Sequence, residues 1–255
     1  MRILVMNVNT TSSMTDLIGA AARSVARPGT EIVATEPTWG PVSVEGYYDS
    51  YISAAAILDR LHQLLDPDRP GGPERFDALV WAGFGEHGQE AAMELLDVPV
   101  VDITDAAAHL ACLIGRRYGV ITTLERSIGQ IEDHLAIAGL FDRCASVRAT
   151  GLGVLDLETD EDATVARFID VARTSLGDGA DVLVLGCGGM SGLETRLSAE
   201  LGVPVVDGVA AAVKLAEALV DLDLGTSKVS SFGAPPAKSR PGWPVSALPR
   251  VNPEC

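Results

Sequence analysis

Val182-Leu-Val-Leu-Gly-Cys187-Gly-Gly-Met-Ser-Gly192 is a short apolar run followed by a glycine-rich turn that carries one cysteine. Aliphatic residues bounded by glycines predict a strand buried on both faces, and the turn predicts a helix start after it. Glycines let backbone N–H groups approach a ligand because no Cβ stands in the way. At a helix start we expect a lowered pKa for the Cys187 thiol, which makes it a candidate reactive group. The plainer interpretation is a small residue buried at a tight turn.

This pattern occurs a second time in the chain. Asp77–Gly88 aligns without a gap with Asp181–Gly192, and Cys187 of the later copy corresponds to Gly83 of the earlier one. The match is extended by two similar segments, each followed by an alanine-rich stretch, Val98-Pro-Val-Val-Asp102 and Val203-Pro-Val-Val-Asp207. Two copies of one strand–turn–helix–strand–helix unit predict two similar half-domains with a site shared between their turns.

Composition narrows the class of protein. The chain has 255 residues, 47% of them hydrophobic, and no apolar run of about 18 residues that would predict a membrane span. A net charge of −16 argues against binding to nucleic acid or to an anionic membrane surface. The four cysteines show no CxxC spacing, as is typical of a reduced cytoplasmic protein, so we expect a cytoplasmic location.

Alternating strand and helix patterns predict an α/β fold. We expect two pseudo-symmetric half-domains, each a short, mostly parallel sheet flanked by helices, with the active site in the cleft between them. The expected first half-domain comprises residues 1–103 and about 208–255, including a proline-rich arm that begins at Gly225, and the second comprises residues 104–207.

Other chemistry receives weaker support. Gly83-Phe-Gly85-Glu-His-Gly88 matches the G-x-G-x-x-G dinucleotide fingerprint, but its first glycine is a cysteine in the other copy and the first strand has no fingerprint. We therefore expect no cofactor. No His, Asp and Glu residues have metal-ligand spacing, so we expect no metal. Among the four histidines only His87 falls in a candidate site loop, where it is expected to be exposed or, alternatively, to carry a proton.

Six motifs in order along the chain resemble the Asp/Glu/hydantoin racemase superfamily, and among its branches the hydantoin and allantoin racemases. They are Asn7–Thr11, Gly40–Asp49, Ala82–Gly85, Gly119–Thr123, Leu185–Met190 and Gly225–Lys228. The resemblance implies a cofactor-independent enzyme, commonly a homo-oligomer, that acts on a small carboxylate, amino-acid derivative or hydantoin-like substrate. It also implies that two cysteines flank the α-carbon, one removing its proton and the other returning a proton to the opposite face.

In this chain the resemblance assigns the catalytic role to Cys187, while Gly83 stands where the family has its first cysteine and is expected to open space there. The substrate-binding residues it implies are Asn9, Gly83, Phe84, Gly85, Thr122, Thr123, Gly188 and Gly189.

The missing thiol leaves several interpretations open. One cysteine facing a glycine also resembles the arylmalonate decarboxylases, in which a single thiol protonates the carbanion left by loss of carbon dioxide. Alternatively, His87 or Glu86 replaces the thiol, or the protein binds a small acid or cyclic ureide without turning it over.

Overall fold

The structure, a computed structural model, describes residues 1–85, 87–158, 161–241 and 243, so Glu86 and Cys255 lie outside it. Two four-stranded parallel sheets form its centre, with strand orders β2-β1-β3-β4 and β6-β5-β7-β8. The strands are β1 (Arg2–Asn7), β2 (Glu31–Thr35), β3 (Ala78–Ala82), β4 (Val100–Asp102), β5 (Tyr118–Thr122), β6 (Cys144–Ala149), β7 (Val182–Leu185) and β8 (Val205–Val206). The expected α/β fold with two parallel sheets is confirmed.

The two sheets have the same strand order, which shows a two-fold repeat larger than the one visible in the sequence. The sequence repeat covers β3–β4 and β7–β8, whereas the structure also matches β1–β2 with β5–β6. In each sheet the first strand, β1 or β5, is central: the next strand along the chain pairs on one side of it, and the two after that are added on its other side. A crevice therefore opens at the carboxyl ends of these strands, where open α/β sheets bind their ligands. The residue ranges given above for the half-domains stay a prediction.

Eight helices lie against these sheets in the described part of the chain. They are α1 (Ser12–Val25), α2 (Tyr47–Leu65), α3 (Gln89–Leu95), α4 (Ile103–Ile114), α5 (Ile128–Ile137), α6 (Glu161–Gly177), α7 (Glu194–Leu201) and α8 (Gly208–Asp221). None of them is both long enough and apolar enough to cross a membrane. The turn after β7 departs from expectation: it is a 3-10 turn over Gly188–Met190, and the helix begins only at Glu194. Three glycines within five residues disfavour an earlier helix start.

Helices α4 and α8 cross from one sheet to the other. Alanines on α4 pack in the core of the second sheet with Tyr118 and Val184, and α8 packs in the core of the first with Val5 and Val80. Each helix begins at the aspartate that ends a repeated segment. Asp102 accepts hydrogen bonds from Thr104 N and Asp105 N, and Asp207 accepts one from Ala210 N. The two halves therefore interlock through equivalent capped helices.

Loss of the second cap gives a testable stability effect. We expect Asp207→Ala to lower the free energy of unfolding by about 1–2 kcal/mol, since it removes the acceptor for the Ala210 N–H. Asp207→Asn, which keeps a capping oxygen, should lose less. Urea unfolding measures both changes, with Asp170→Ala on the exposed face of α6 as the control. Equal stability of the wild type and Asp207→Ala would contradict the capping role.

The motif Gly225–Lys228 has a structural role. Thr226 donates from its N–H to Asp97 O and from its hydroxyl to Val98 O, both at 2.8 Å. The Lys228 ammonium group donates to Met93 O at 2.6 Å, near the end of α3. This segment thus holds the end of the helix that follows the Gly83 turn.

Candidate active site

A cavity of about 40 Å³ lies where the carboxyl ends of β1, β3, β5 and β7 meet. It is lined by residues of both sheets, so the repeated turns do face one space. Its walls include Asn7, Val8, Asn9, Met14, Ile18, Val44, Ala82, Gly83, Phe84, His87, Thr122, Thr123, Ser127, Gln130, Val154 and Gly186–Gly189.

Eight of the nine residues selected from the sequence line this cavity: Cys187, Asn9, Gly83, Phe84, Thr122, Thr123, Gly188 and Gly189. Gly85 is the ninth, and it is not among the lining residues. Its N–H donates to Thr104 Oγ1 at 2.8 Å, and its φ of +105° shapes the turn. The Gly85 amide is therefore committed to the protein rather than offered to a substrate.

The Cys187 thiol is the chemically reactive group of the cavity wall. Part of its surface is accessible, and that part faces the cavity. Burial away from water raises the pKa of the thiol to about 11. A hydrogen bond from the Gly189 N–H lowers the pKa, but by less than burial raises it. The expected lowering of the pKa is wrong, because the turn after Cys187 is three residues long and apolar side chains pack against the thiol. Cys187 is thus a protonated thiol at neutral pH.

Gly83 does not open an empty space. A Cβ built on this residue would lie far inside contact distance of His87 Cδ2 and 2.5 Å from Val8 Cγ1. The volume in which a first cysteine would stand is therefore already filled by the imidazole ring and the valine. This corrects the expectation drawn from the sequence.

His87 is buried, with 5% of its surface exposed, so the expectation of an exposed loop residue is wrong. Its Nε2 lies 3.1 Å from Phe84 O, and its Nδ1 lies 2.9 Å from Ser50 Oγ. A carbonyl oxygen only accepts, so Nε2 carries a hydrogen, while Nδ1 is hydrogen-bonded to the serine hydroxyl. Both ring nitrogens are thereby engaged with the protein, which makes His87 a poor candidate for substrate deprotonation.

Polar side chains that line the same cavity as the thiol offer hydrogen-bond donors. Asn9 Oδ1 accepts from Asn7 Nδ2 and from Thr11 N, both at 3.0 Å, and this fixes the Asn9 amide group. Among the described residues, the one hydrogen-bond contact of its Nδ2 is with the sulfur of Met14, at 3.2 Å. The Thr123 hydroxyl has no hydrogen-bond partner within the described part of the chain, although the residue is only 3% exposed. These groups suit the binding of a carbonyl oxygen.

Val44, Ser127 and Gln130 are among the lining residues that the sequence-based selection did not include. They come from the segment before α2 and from the start of α5. Val44 belongs to the motif Gly40–Asp49, so the family resemblance already indicated that this segment lies near the site. The other two become neighbours of the site only through the packing of the second half on the first.

The fold also gathers Asp102, Asp105 and His134, one atom of each lying within 4.8 Å of the others. The sequence spacing gave no sign of this cluster. His134 Nε2 donates to Asp105 Oδ1 at 3.0 Å, while Asp102 caps α4. Burial raises the pKa of Asp102 to about 7. Asp102 Oδ1 caps α4 and Asp105 pairs with His134, so we interpret the cluster as a structural network under the Gly83 turn, in which Asp102 Oδ2 is buried without a hydrogen-bond partner among the described residues.

Comparisons with known proteins identify the family. The model of the Asp/Glu/hydantoin racemase family matches residues 3–216. A hydantoin racemase of Pseudomonas sp. (strain NS671) is 40% identical over 243 residues, with 95% of each chain covered. The crystal structure of allantoin racemase from Pseudomonas fluorescens superposes with a TM-score of 0.88 at 51% identity, covering 95% of this chain and 100% of that one.

Arylmalonate decarboxylase has the same fold at lower similarity. Its crystal structure gives a TM-score of 0.56 at 18% identity, covering 86% of this chain and 92% of that one. This likeness concerns the fold alone. The family match and the racemase relatives extend over nearly the whole chain and through every strand that borders the cavity. The chain therefore belongs to the Asp/Glu/hydantoin racemase family and is related to its hydantoin and allantoin racemases.

Proposed function

We propose that the protein racemises a 5-substituted hydantoin, with allantoin as the first substrate to test. The observation that carries the proposal is that Cys187 and hydrogen-bond donors line one cavity shared by two equivalent sheets. The relationship to an allantoin racemase over the whole chain supports this choice of substrate.

The chemistry follows from the position of the reacting carbon. The proton at C5 of a hydantoin is acidic because the neighbouring carbonyl accepts the electron pair as an enolate. Donors such as the Asn9 amide and the Thr123 hydroxyl would stabilise the enolate oxygen. One group removes the proton, and a second returns a proton to the opposite face, which inverts the centre. These two proton transfers need no cofactor. We assign to Cys187 the proton transfer at one of the two faces of C5.

At position 83 the second proton carrier cannot be a thiol, since glycine has no side chain. Both ring nitrogens of His87 are held by the protein. Glu86 is the other titratable residue of this turn, between the described residues Gly85 and His87. Glu86 itself lies outside the described residues. We assign it the second role from its place in the sequence and its chemistry, because a carboxylate can accept and return a proton.

We expect Glu86→Gln to lower the racemisation rate by about 100-fold or more, the usual size of a general acid–base contribution. His87→Gln should lower it by less than about 10-fold, mainly through loosened packing of the turn. Initial rates from each pure enantiomer, followed by circular dichroism, give both values. Glu200→Gln on the exposed face of α7 is the control. Loss of activity in His87→Gln together with an active Glu86→Gln would reverse the assignment.

The pKa of Cys187 also predicts the pH profile. Thiol with carboxylate and thiolate with carboxylic acid are two tautomers of one singly protonated pair, so their ratio does not change with pH between the two pKa values. Burial raises the pKa of Cys187 to about 11. We therefore expect kcat/KM to be flat from about pH 6 to about pH 10 and to fall only above that, as the pair loses its last proton. A decline that begins near pH 8.5, where an ordinary thiol titrates, would contradict the buried thiol.

Two other functions remain as outcomes of these tests. Cys187 is the one thiol that lines the cavity among the described residues, and one thiol is enough for a decarboxylase that protonates a carbanion. A pure binding protein would bind the ureide without exchanging its C5 proton. Cytoplasmic location and homo-oligomeric assembly stay predictions.

A further inference from the structure

The turn between β3 and α3 is hydrogen-bonded to Thr104, a residue that does not line the cavity. The Gly85 N–H donates to Thr104 Oγ1 at 2.8 Å, and Thr104 is 0% exposed. Gly85 has a φ of +105°, a conformation that residues with a side chain rarely adopt. The hydroxyl of Thr104 therefore fixes the peptide that joins Phe84, on the cavity wall, to Gly85.

Thr104 is itself fixed by a buried polar network. Asp102 Oδ1 accepts from Thr104 N at 2.6 Å and from Asp105 N at 3.2 Å. The Asp105 carboxylate accepts from His134 Nε2 of α5 at 3.0 Å and from Gln89 Nε2, at the first residue of α3, at 3.4 Å. The network thus joins the turn, the helix that follows it and a helix of the second half of the chain.

We propose that Thr104 is a positioning residue for the racemisation reaction. Its hydroxyl holds the Phe84–Gly85 peptide, and with it the part of the cavity wall formed by Phe84, in a fixed place. The proposal rests on the proposed function. Filling the volume at this position would not require a hydroxyl group, because valine has the same shape. The hydroxyl is needed to satisfy the buried Gly85 N–H, whose loss of a partner would let the turn shift.

Thr104→Val and Thr104→Ser separate the hydroxyl from the volume. We expect Thr104→Val to lower kcat by about 10–100-fold with KM within about 3-fold, because small misplacements of catalytic groups are costly. Thr104→Ser should keep kcat within about 3-fold of the wild type. Thr164→Val, at a buried threonine of α6, is the matched control and should leave kcat unchanged. Thr104→Ala removes the same hydroxyl in a smaller side chain and replaces the valine variant should that variant not fold.

Amide hydrogen exchange, measured by mass spectrometry, provides a readout that does not depend on turnover. Peptides that cover residues 83–88 should exchange faster in Thr104→Val than in the wild type or Thr104→Ser, while peptides from α6 should not change. A wild-type kcat in Thr104→Val, or unchanged exchange in the turn, would overturn the proposal. An inactive wild type would refute the proposed function instead, and the exchange rates would still decide whether Thr104 holds the turn.

Discussion

Cys187→Ala is expected to reduce the rate of racemisation by at least about 1000-fold, since it removes the proton carrier on one face of the substrate. Its fold should persist, because the change empties a small volume beside an existing cavity. Chiral chromatography of reactions started from each enantiomer measures the loss. Cys112→Ala, at a half-buried thiol of α4 that does not line the cavity, is the matched control and should be as active as the wild type.

The same variant should separate the two halves of the reaction. With the thiol gone, the carrier on the other face can still remove a proton and return deuterium from D2O to the face from which the proton came. Cys187→Ala should therefore exchange the C5 proton of one enantiomer only, without inversion. Racemisation by Cys187→Ala at more than a tenth of the wild-type rate would contradict the role assigned to the thiol.

Gly83→Cys is expected to damage the protein rather than restore a two-thiol site. The added Cβ would meet His87 and Val8 inside contact distance. We expect the free energy of unfolding to fall by about 1–3 kcal/mol, as for other overpacked positions, and Gly83→Ala should lose a similar amount. Activity should fall by more than about 10-fold, because His87 and the turn must move. Thermal unfolding monitored by circular dichroism gives the stability change.

A second substitution identifies the cause of this loss. Combined with His87→Gly, which removes the imidazole ring, Gly83→Cys should cost less stability than the sum of the two single changes, because the two positions compete for one volume. Gly177→Ala is the control for adding a methyl group, since a Cβ at residue 177 meets nothing within 4 Å. A Gly83→Ala protein as stable as the wild type would mean that the space beside Gly83 is open, as the sequence suggested.

These two positions show what the sequence could and could not predict. The repeat of Asp77–Gly88 in Asp181–Gly192 correctly placed two glycine turns at one cavity, because an ungapped match implies equivalent places in two similar units. Neither the direction of the Cys187 pKa shift nor the filling of the space at Gly83 could be read in this way. Both depend on side chains from other elements, Val154 and Val8 among them.

The β1–β2 and β5–β6 part of the repeat was also invisible in the sequence. Buried strands need only apolar residues that fit a pleated surface, so equivalent strands such as Arg2–Asn7 and Tyr118–Thr122 can share a place in the fold with little identity. The commitment of Gly85 to Thr104 could not be foreseen for a similar reason. Its partner lies 19 residues away and reaches the turn only because Asp102 begins α4 there.

The most direct test of proton transfer at C5 is proton NMR of each allantoin enantiomer in D2O with the wild-type protein, corrected for the enzyme-free rate. We predict loss of the C5 proton signal at the rate at which the opposite enantiomer appears, with all carbon atoms retained. A C5 signal that decays no faster than in the absence of enzyme, for allantoin and for other 5-substituted hydantoins, would contradict the proposed racemase. Release of carbon dioxide from an arylmalonate under the same conditions would instead establish the one-thiol decarboxylase.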